Sequence, residues 1–345
     1  MFANTTSKPR PVTRRNAAME RLDIADLHFA DELPEGRMID LPGRAQAFIR
    51  IAQGPVGAPT VLLVHGLLAT ADTNWSLAMP ELATRFRVVA PDLRGHGRGM
   101  KTRRFSGEEC ADDLAAIVET LELGRVIVVG YSLGGLVAQI FARRHPHLVA
   151  GLVFSATAAA FEVPTAAGPL HLLERVVRRV PESVRRSVLM AMLKPRGARC
   201  PRGRWLMDQV RRHDTLAILD ATAEAARFDS LPWIGSIAAP AAVIVTSLDP
   251  VVSPASQHAL ARALEAIEVC EVAGDHFACI KRPREFNAAL VSACTNVARE
   301  YSVRPDGKER RRLIAAGRPA AGDAPRHGDV PVSPRDGRIA DKARV

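Results

Sequence analysis

Two rhythms of apolar and polar positions alternate along most of this chain. Short runs that are apolar throughout recur as "TVLLVHG" (60–66), "FRVVAPD" (86–92), "RVIVVG" (125–130), "VAGLVFS" (149–155) and "AAVIVTS" (241–247). A strand with no polar face is buried on both sides, so these runs predict a parallel sheet covered above and below. "QAFIRIAQ" (46–53) alternates instead, as a strand in an antiparallel entry does, and "AIEVCEV" (266–272) is shorter and more alternating. Between the runs, "SLAMPELATR", "GEECADDLAAIVETLE", "LGGLVAQIFARRH", "PASQHALARALE" and "PREFNAALVSACTNVARE" carry apolar residues at helical three-and-four spacing. Strand–helix alternation of this kind predicts an α/β fold with a doubly wound, mostly parallel sheet.

One segment breaks the rhythm. Residues 161–234 contain no convincing strand. "GPLHLLERVVRRVPESVRRSVLMAML" reads as two amphipathic helices with Pro181 at the joint. Leu170, Leu173, Val177 and Val180 mark one apolar stripe, and Val184, Val188 and Met192 the next. This predicts a helical cap, inserted between two sheet strands over the carboxyl edge where open α/β folds bind ligands. Amphipathic helices ordinarily bury one face, so both stripes are expected to pack on the core, with the arginines solvated. The alternative is that the stripes suit an apolar acyl chain and the arginines an anionic lipid surface. Residues 1–24 and 304–345, rich in Pro, Ala and charge, read as a disordered arm and a disordered basic tail. The core is then 25–160 together with 235–303.

Dividing the net charge of +10 changes what it means. Residues 1–21 contribute +4, residues 161–234 contribute +5 and residues 304–345 contribute +5, leaving −4 on everything else. A nucleic-acid binder more often concentrates basic charge on a folded recognition face, so no nucleic-acid partner is expected. No apolar run reaches the about 18 residues a membrane span needs. The N-terminus has arginines but no continuous apolar stretch, so no secretory signal is expected; a transit-type or disordered arm fits it. The five cysteines (Cys110, Cys200, Cys270, Cys279, Cys294) form no CxxC pair and no zinc-ligand spacing. Free thiols, a cytoplasmic location and no metal are the corresponding expectations.

The chemistry gathers at the ends of the apolar runs. "GYSLG" frames Ser132 between Gly130 and Gly134, after the run 125–129 and before a helix starting near Leu133. A nucleophile elbow requires that strand–turn–helix context. The turn strains the backbone, and side chains two residues either side would collide with neighbouring backbone, hence glycine. A serine hydroxyl needs a base, and His276 follows the last strand in "EVAGDHFACIKR". The imidazole needs an acid, and Asp249 in "VIVTSLDPVVSP" directly follows an apolar run. Asp275 is the weaker acid, because it adjoins His276 and would tend to point away; Asp214 and Asp220 fall in the cap. The oxyanion hole is assigned to the Leu133 N–H and, from the loop after "VLLVHG", the Leu67 N–H. His65 and Gly66 shape that loop, with His65 read as structural. Trp75 either lines the pocket or packs a helix start.

With "HG" at 65–66, "PDLRGHGRG" at 91–99, "GYSLGG" at 130–135, "SLDPVVSP" at 247–254 and "GDHF" at 274–277, the chain resembles the α/β-hydrolase superfamily from about residue 25 to 303. The resemblance implies the α/β-hydrolase fold with an inserted helical cap and a triad in the order Ser132, Asp249, His276. It also implies that "DLRGHG" is a structural turn, so Asp92 and His96 stay out of the mechanism. Relatives commonly have Ser where this chain has Gly99. Serine at 132 argues against the dehalogenases and epoxide hydrolases of this fold, which use aspartate there, and "HGLL" lacks the proline of the epoxide-hydrolase pattern. The expected activity is cleavage of a small-molecule carboxylic ester through an acyl-enzyme, without cofactor, leaning to an apolar or lipid-like acyl group. C–C hydrolysis, lactone opening, cofactor-free perhydrolysis, or a low-turnover receptor or scaffold are the alternatives.

Overall fold

A computed structural model describes residues 23–102, 104–161 and 176–303. Residues 1–22 of the arm expected over 1–24, the tail expected over 304–345, and Leu170 and Leu173 of the first stripe lie outside the described residues. The last two residues of that arm are ordered: Asp23 caps a short 3-10 helix (Ile24–Asp26), and Ile24 is buried with its N–H on the Arg196 carbonyl (3.1 Å).

Eight strands form one sheet: β1 (Glu35–Ile39), β2 (Ala47–Ala52), β3 (Thr60–Val64), β4 (Arg87–Pro91), β5 (Val126–Tyr131), β6 (Val149–Ser155), β7 (Ala241–Thr246) and β8 (Glu268–Val272). Their spatial order is β1-β2-β4-β3-β5-β6-β7-β8. β1 and β2 run antiparallel at one edge, and the pairs from β4 to β8 are parallel. The uniformly apolar runs are the central strands, with every residue of β3, β5, β6 and β7 buried. Alternate residues of one strand serve opposite layers, as the pleat requires. Leu62 and Val64 pack with Leu114, Leu136 and Phe141 on one face. Val61 and Leu63 pack with Trp75, Phe286 and Leu290 on the other.

The covering helices are α1 (Ala71–Trp75), α2 (Ala78–Ala83), α3 (Gly107–Thr120), α4 (Leu133–Arg144), α5 (Glu182–Leu193), α6 (Pro201–Arg211), α7 (Thr215–Arg227), α8 (Pro254–Ala263), α9 (Ala278–Lys281) and α10 (Pro283–Val303). No described helix is long and apolar enough to cross a membrane. Two elements carry no periodic signal. β1 is an exposed edge strand with no buried face, and the five residues of α1 are held by a Thr70–Thr73 capping box. The chain leaves β3 for β4 on one side and returns to β5 on the other. The topological switch therefore lies between β3 and β5, and in such sheets ligands bind at the carboxyl ends beside that point.

Between β6 and β7, the described residues supply α5, α6 and α7 and no strand. Pro181 is the N-cap of α5, as the joint predicted. The orientation of α5 corrects the expectation that its stripe packs inward. Val184, Val188 and Met192 are 48%, 53% and 65% exposed, whereas Arg185 is only 8% exposed. The reason is polar satisfaction. Arg185 donates to Thr215 Oγ1 (2.9 Å) and pairs with Glu182 (2.7 Å), so its guanidinium is accommodated beneath the helix.

Candidate active site

Ser132 sits between β5 and α4 with φ 53° and ψ −119°, a strained conformation for a residue with a side chain. The surroundings hold it there. Its N–H donates to the Ser155 carbonyl (3.0 Å), and its own carbonyl accepts from the Gly135 N–H (2.8 Å) and Thr157 Oγ1 (2.9 Å). The flanking glycines are steric necessities. A Cβ at Gly130 would meet the Gly134 carbonyl oxygen at 2.6 Å, and one at Gly134 would overlap the Val64 carbonyl and lie 2.6 Å from that of His65. The register places Val64 opposite Gly130, so β3 and its loop press against the elbow.

His276 follows β8, and its Nε2 lies 2.9 Å from Ser132 Oγ. Its Nδ1 lies 2.8 Å from Asp249 Oδ2, after β7. Asp249 is buried and fully engaged. Oδ2 also accepts from Thr246 Oγ1 (2.8 Å), and Oδ1 accepts from the N–H groups of Val251 (2.8 Å) and Val252 (2.9 Å). Burial alone would push this carboxyl up; the His276 hydrogen bond and charge, with the Val251 and Val252 N–H groups, together hold it below its ordinary range. Asp275 turns away as expected, accepting from the Phe277 N–H (2.9 Å) and pairing with Lys281 (2.7 Å). Asp214 caps α7 through the Leu216 and Ala217 N–H groups, and Asp220 pairs with Arg178.

Leu133 is the first residue of α4, and the N–H groups of a first helical turn have no intrahelical acceptor. Among the described residues, no backbone acceptor takes the Leu67 N–H. A Cβ on the neighbouring Gly66 would come within 3.3 Å of Ser132 Cβ, so this loop lies against the serine. His65 is structural. Its Nε2 accepts from the Leu93 N–H (2.9 Å), which leaves the Nδ1 proton for the Gly66 carbonyl (2.8 Å). Asp92 is also structural, accepting from the N–H groups of Ala71 and Arg98 (both 2.8 Å). Trp75 is fully buried against Tyr131 and Phe286, which settles its two readings in favour of packing.

Several supports were not visible in the sequence. Tyr131 Oη donates to the His276 carbonyl (2.8 Å), tying the His276 loop to the strand that leads into Ser132. Gln257 Nε2 donates to Thr246 Oγ1 (2.8 Å) and the Val252 carbonyl (2.9 Å), bracing the Asp249 loop. The adjacency of Tyr131 to Ser132 was the one available signal.

A model of the alpha/beta hydrolase fold matches residues 59–191, which contain the elbow and the loop after β3. The chain has the α/β-hydrolase fold. Its solved α/β-hydrolase neighbours include a hydrolase from Pseudomonas aeruginosa PA01, with TM-score 0.63 and 20% identity over 75% of this chain and 97% of that one. The enol-lactonase from Burkholderia xenovorans LB400 superposes with TM-score 0.59 and 23% identity over 75% of this chain and 100% of that one. In sequence, this chain is 42% identical over 108 residues to a 2-hydroxy-6-oxo-2,4-heptadienoate hydrolase of Pseudomonas putida, covering 30% of this chain and 39% of that protein. It is 41% identical over 105 residues to a pimeloyl-[acyl-carrier protein] methyl ester esterase of Sodalis glossinidius, covering 30% and 39%. An uncharacterised protein of Mycobacterium tuberculosis matches at 42% over 96 residues, 28% of each chain. The chain thus spans under two fifths of the length of these curated relatives.

Proposed function

We propose that this protein cleaves a carboxylic ester through a Ser132–His276–Asp249 triad. The observation that carries the proposal is the unbroken run of contacts from Ser132 Oγ through both ring nitrogens of His276 to Asp249. As Ser132 Oγ bonds to the acyl carbon, its proton passes to His276 Nε2. Asp249 keeps the Nδ1 proton in place and stabilises the imidazolium. The Leu67 and Leu133 N–H groups receive the tetrahedral oxyanion, each worth roughly 3–4 kcal/mol when removed. The carbon–oxygen bond to the alcohol then breaks, and His276 gives its proton to the leaving oxygen. Water, deprotonated by His276, attacks the acyl-enzyme; the acid leaves and the proton returns to Ser132.

An apolar or lipid-like acyl group fits best. The outward face of α5 carries Val184, Val188 and Met192 with Ser183 and Ser187 between them, and exposed Arg179, Lys194, Arg196 and Arg199 flank it in sequence. An anionic bilayer is the surface that such a face complements. The Sodalis relative, named an esterase, supports ester chemistry. The Pseudomonas putida relative, named a dienoate hydrolase, favours a second reading, C–C hydrolysis on the same triad.

A fluorophosphonate probe tests the nucleophile. It should label the wild type and not Ser132→Ala; folded wild-type protein that stays unlabelled would point to a receptor or scaffold instead. A panel of p-nitrophenyl esters, monoacylglycerol, lactones, a vinylogous diketone and peracid formation then tests the substrate. Rates rising with acyl length support the proposal. Faster turnover of the diketone would replace it with the second reading.

A further inference from the structure

Three buried histidines meet ring to ring, tilted or edge-on, and one of them belongs to the insertion. His65 lies 5.3 Å from His96, and His96 lies 5.3 Å from His213, between ring centroids. His213 joins α6 to α7 and is 1% exposed. Its Nδ1 accepts from the Gly97 N–H (3.0 Å), in the loop after β4. The ring proton of a neutral imidazole must then sit on Nε2, which faces the Leu68 carbonyl at 3.1 Å, in the loop after β3. Both ring nitrogens are therefore spent on main chain, on two different loops.

Leu68 is the residue that most needs holding. It has φ 59°, in the left-handed region that a leucine avoids. It lies in a tight turn closed by the Ala69 N–H to the Gly66 carbonyl (3.2 Å). His65 Nδ1 grips that turn at the Gly66 carbonyl (2.8 Å), and His213 grips it at the Leu68 carbonyl. Leu67 lies between the two grips. The strain of a left-handed leucine and the worth of one buried hydrogen bond are of the same order, so losing the bond is enough to release the turn. Other bonds attach the insertion nearby but reach a different loop. The Asp214 N–H donates to the Gly95 carbonyl (2.9 Å), and Lys101 Nζ bridges the Gly97 and Arg212 carbonyls (both 3.0 Å).

We propose that His213 is a positioning residue for the oxyanion loop: through Leu68 it ties the turn holding the Leu67 N–H to the inserted helices. The inference rests on the serine-hydrolase reading above. It makes the helical insertion a structural part of transition-state stabilisation as well as a cover, because the geometry of the loop depends on where α6 meets α7.

The test measures kcat and KM separately on a p-nitrophenyl ester, beside fluorophosphonate labelling. In His213→Leu, kcat should fall about 10- to 100-fold, less than or equal to the loss of one oxyanion donor, with KM changed less than about twofold. Adding Leu68→Gly should restore at least half of the loss on a logarithmic scale, because glycine takes a positive φ without strain. Lys101→Met, which loosens the insertion without touching Leu68, should lose less than about threefold. Should His213→Leu prove unstable, His213→Gln, whose side chain cannot hold both loops in the same geometry, takes its place with an expected loss of about tenfold in kcat. A preserved kcat, a loss carried by KM, no recovery with Leu68→Gly, or an equal loss in Lys101→Met would each overturn the role of His213. Absence of labelling in the wild type would instead overturn the serine-hydrolase reading, and this inference with it.

Discussion

Replacing Asp249 by Asn should remove most of the activity while leaving the fold in place. The reason lies in how the carboxylate is held. Oδ1 accepts two backbone N–H groups, from Val251 and Val252, at 2.8 and 2.9 Å. An asparagine would keep its carbonyl oxygen there, because the reverse orientation points an NH₂ at two donors and forfeits two hydrogen bonds of about 1 kcal/mol each. The NH₂ is then forced to the Oδ2 position, 2.8 Å from His276 Nδ1. Two donors cannot face each other, so the imidazole must carry its proton on Nε2, against Ser132 Oγ. That is the tautomer that cannot accept the serine proton. In the serine-protease triad this same change costs about 10⁴ in kcat, equivalent to about 5 kcal/mol at 1.36 kcal/mol per tenfold. Thr246 Oγ1 also loses its carboxylate acceptor, at a cost to stability of about 1–2 kcal/mol. The assay is kcat on a p-nitrophenyl ester, with the unfolding midpoint measured on the same samples. Asp275→Asn is the control, since Asp275 bonds to Phe277 and Lys281 and not to the imidazole. A loss smaller than tenfold in Asp249→Asn, or an equal loss in Asp275→Asn, would refute the assignment of the acid.

The three clustered histidines make stability depend on pH. His65, His96 and His213 are each pushed down to about 3, chiefly by burial. The unfolded chain protonates them below about 6.5. Between these values the unfolded state holds more protons, so their contribution is complete above about 6.5 and is lost as pH falls toward 3. His96 Nε2 is buried without a partner among the described residues, so His96→Phe should lower the slope of unfolding free energy against pH by about one proton between pH 6.5 and 4 in urea titrations; an unchanged slope would contradict this. The outward face of α5 predicts co-sedimentation with phosphatidylglycerol vesicles, weaker with phosphatidylcholine, and abolished by the double change Val188→Asp and Met192→Asp. Equal binding to both lipids, or full binding by that variant, would remove the membrane role.

The meeting of Ser132, Asp249 and His276 was legible because each follows a predicted strand, apolar throughout before Ser132 and Asp249 and alternating before His276, and a parallel sheet brings such strand ends to one edge. The elbow glycines were legible for a steric reason that the backbone then bears out at Gly130 and Gly134. The residues that hold the site were not, because their bonds depend on register and on long-range docking. Tyr131 and His276 are 145 positions apart, as are Leu68 and His213. The α5 stripe shows a different limit. Helical periodicity reveals that a face is apolar but not which way it turns. That depends on whether the opposite face finds partners, and here Arg185 finds Glu182 and Thr215. The inward side of the helix thus carries the satisfied Arg185 guanidinium together with half-buried Leu189 and Leu193, while three large apolar side chains face outward. Cutting the Arg185 network should consequently act on the exposed stripe too, by removing what keeps Val184, Val188 and Met192 turned away from the core.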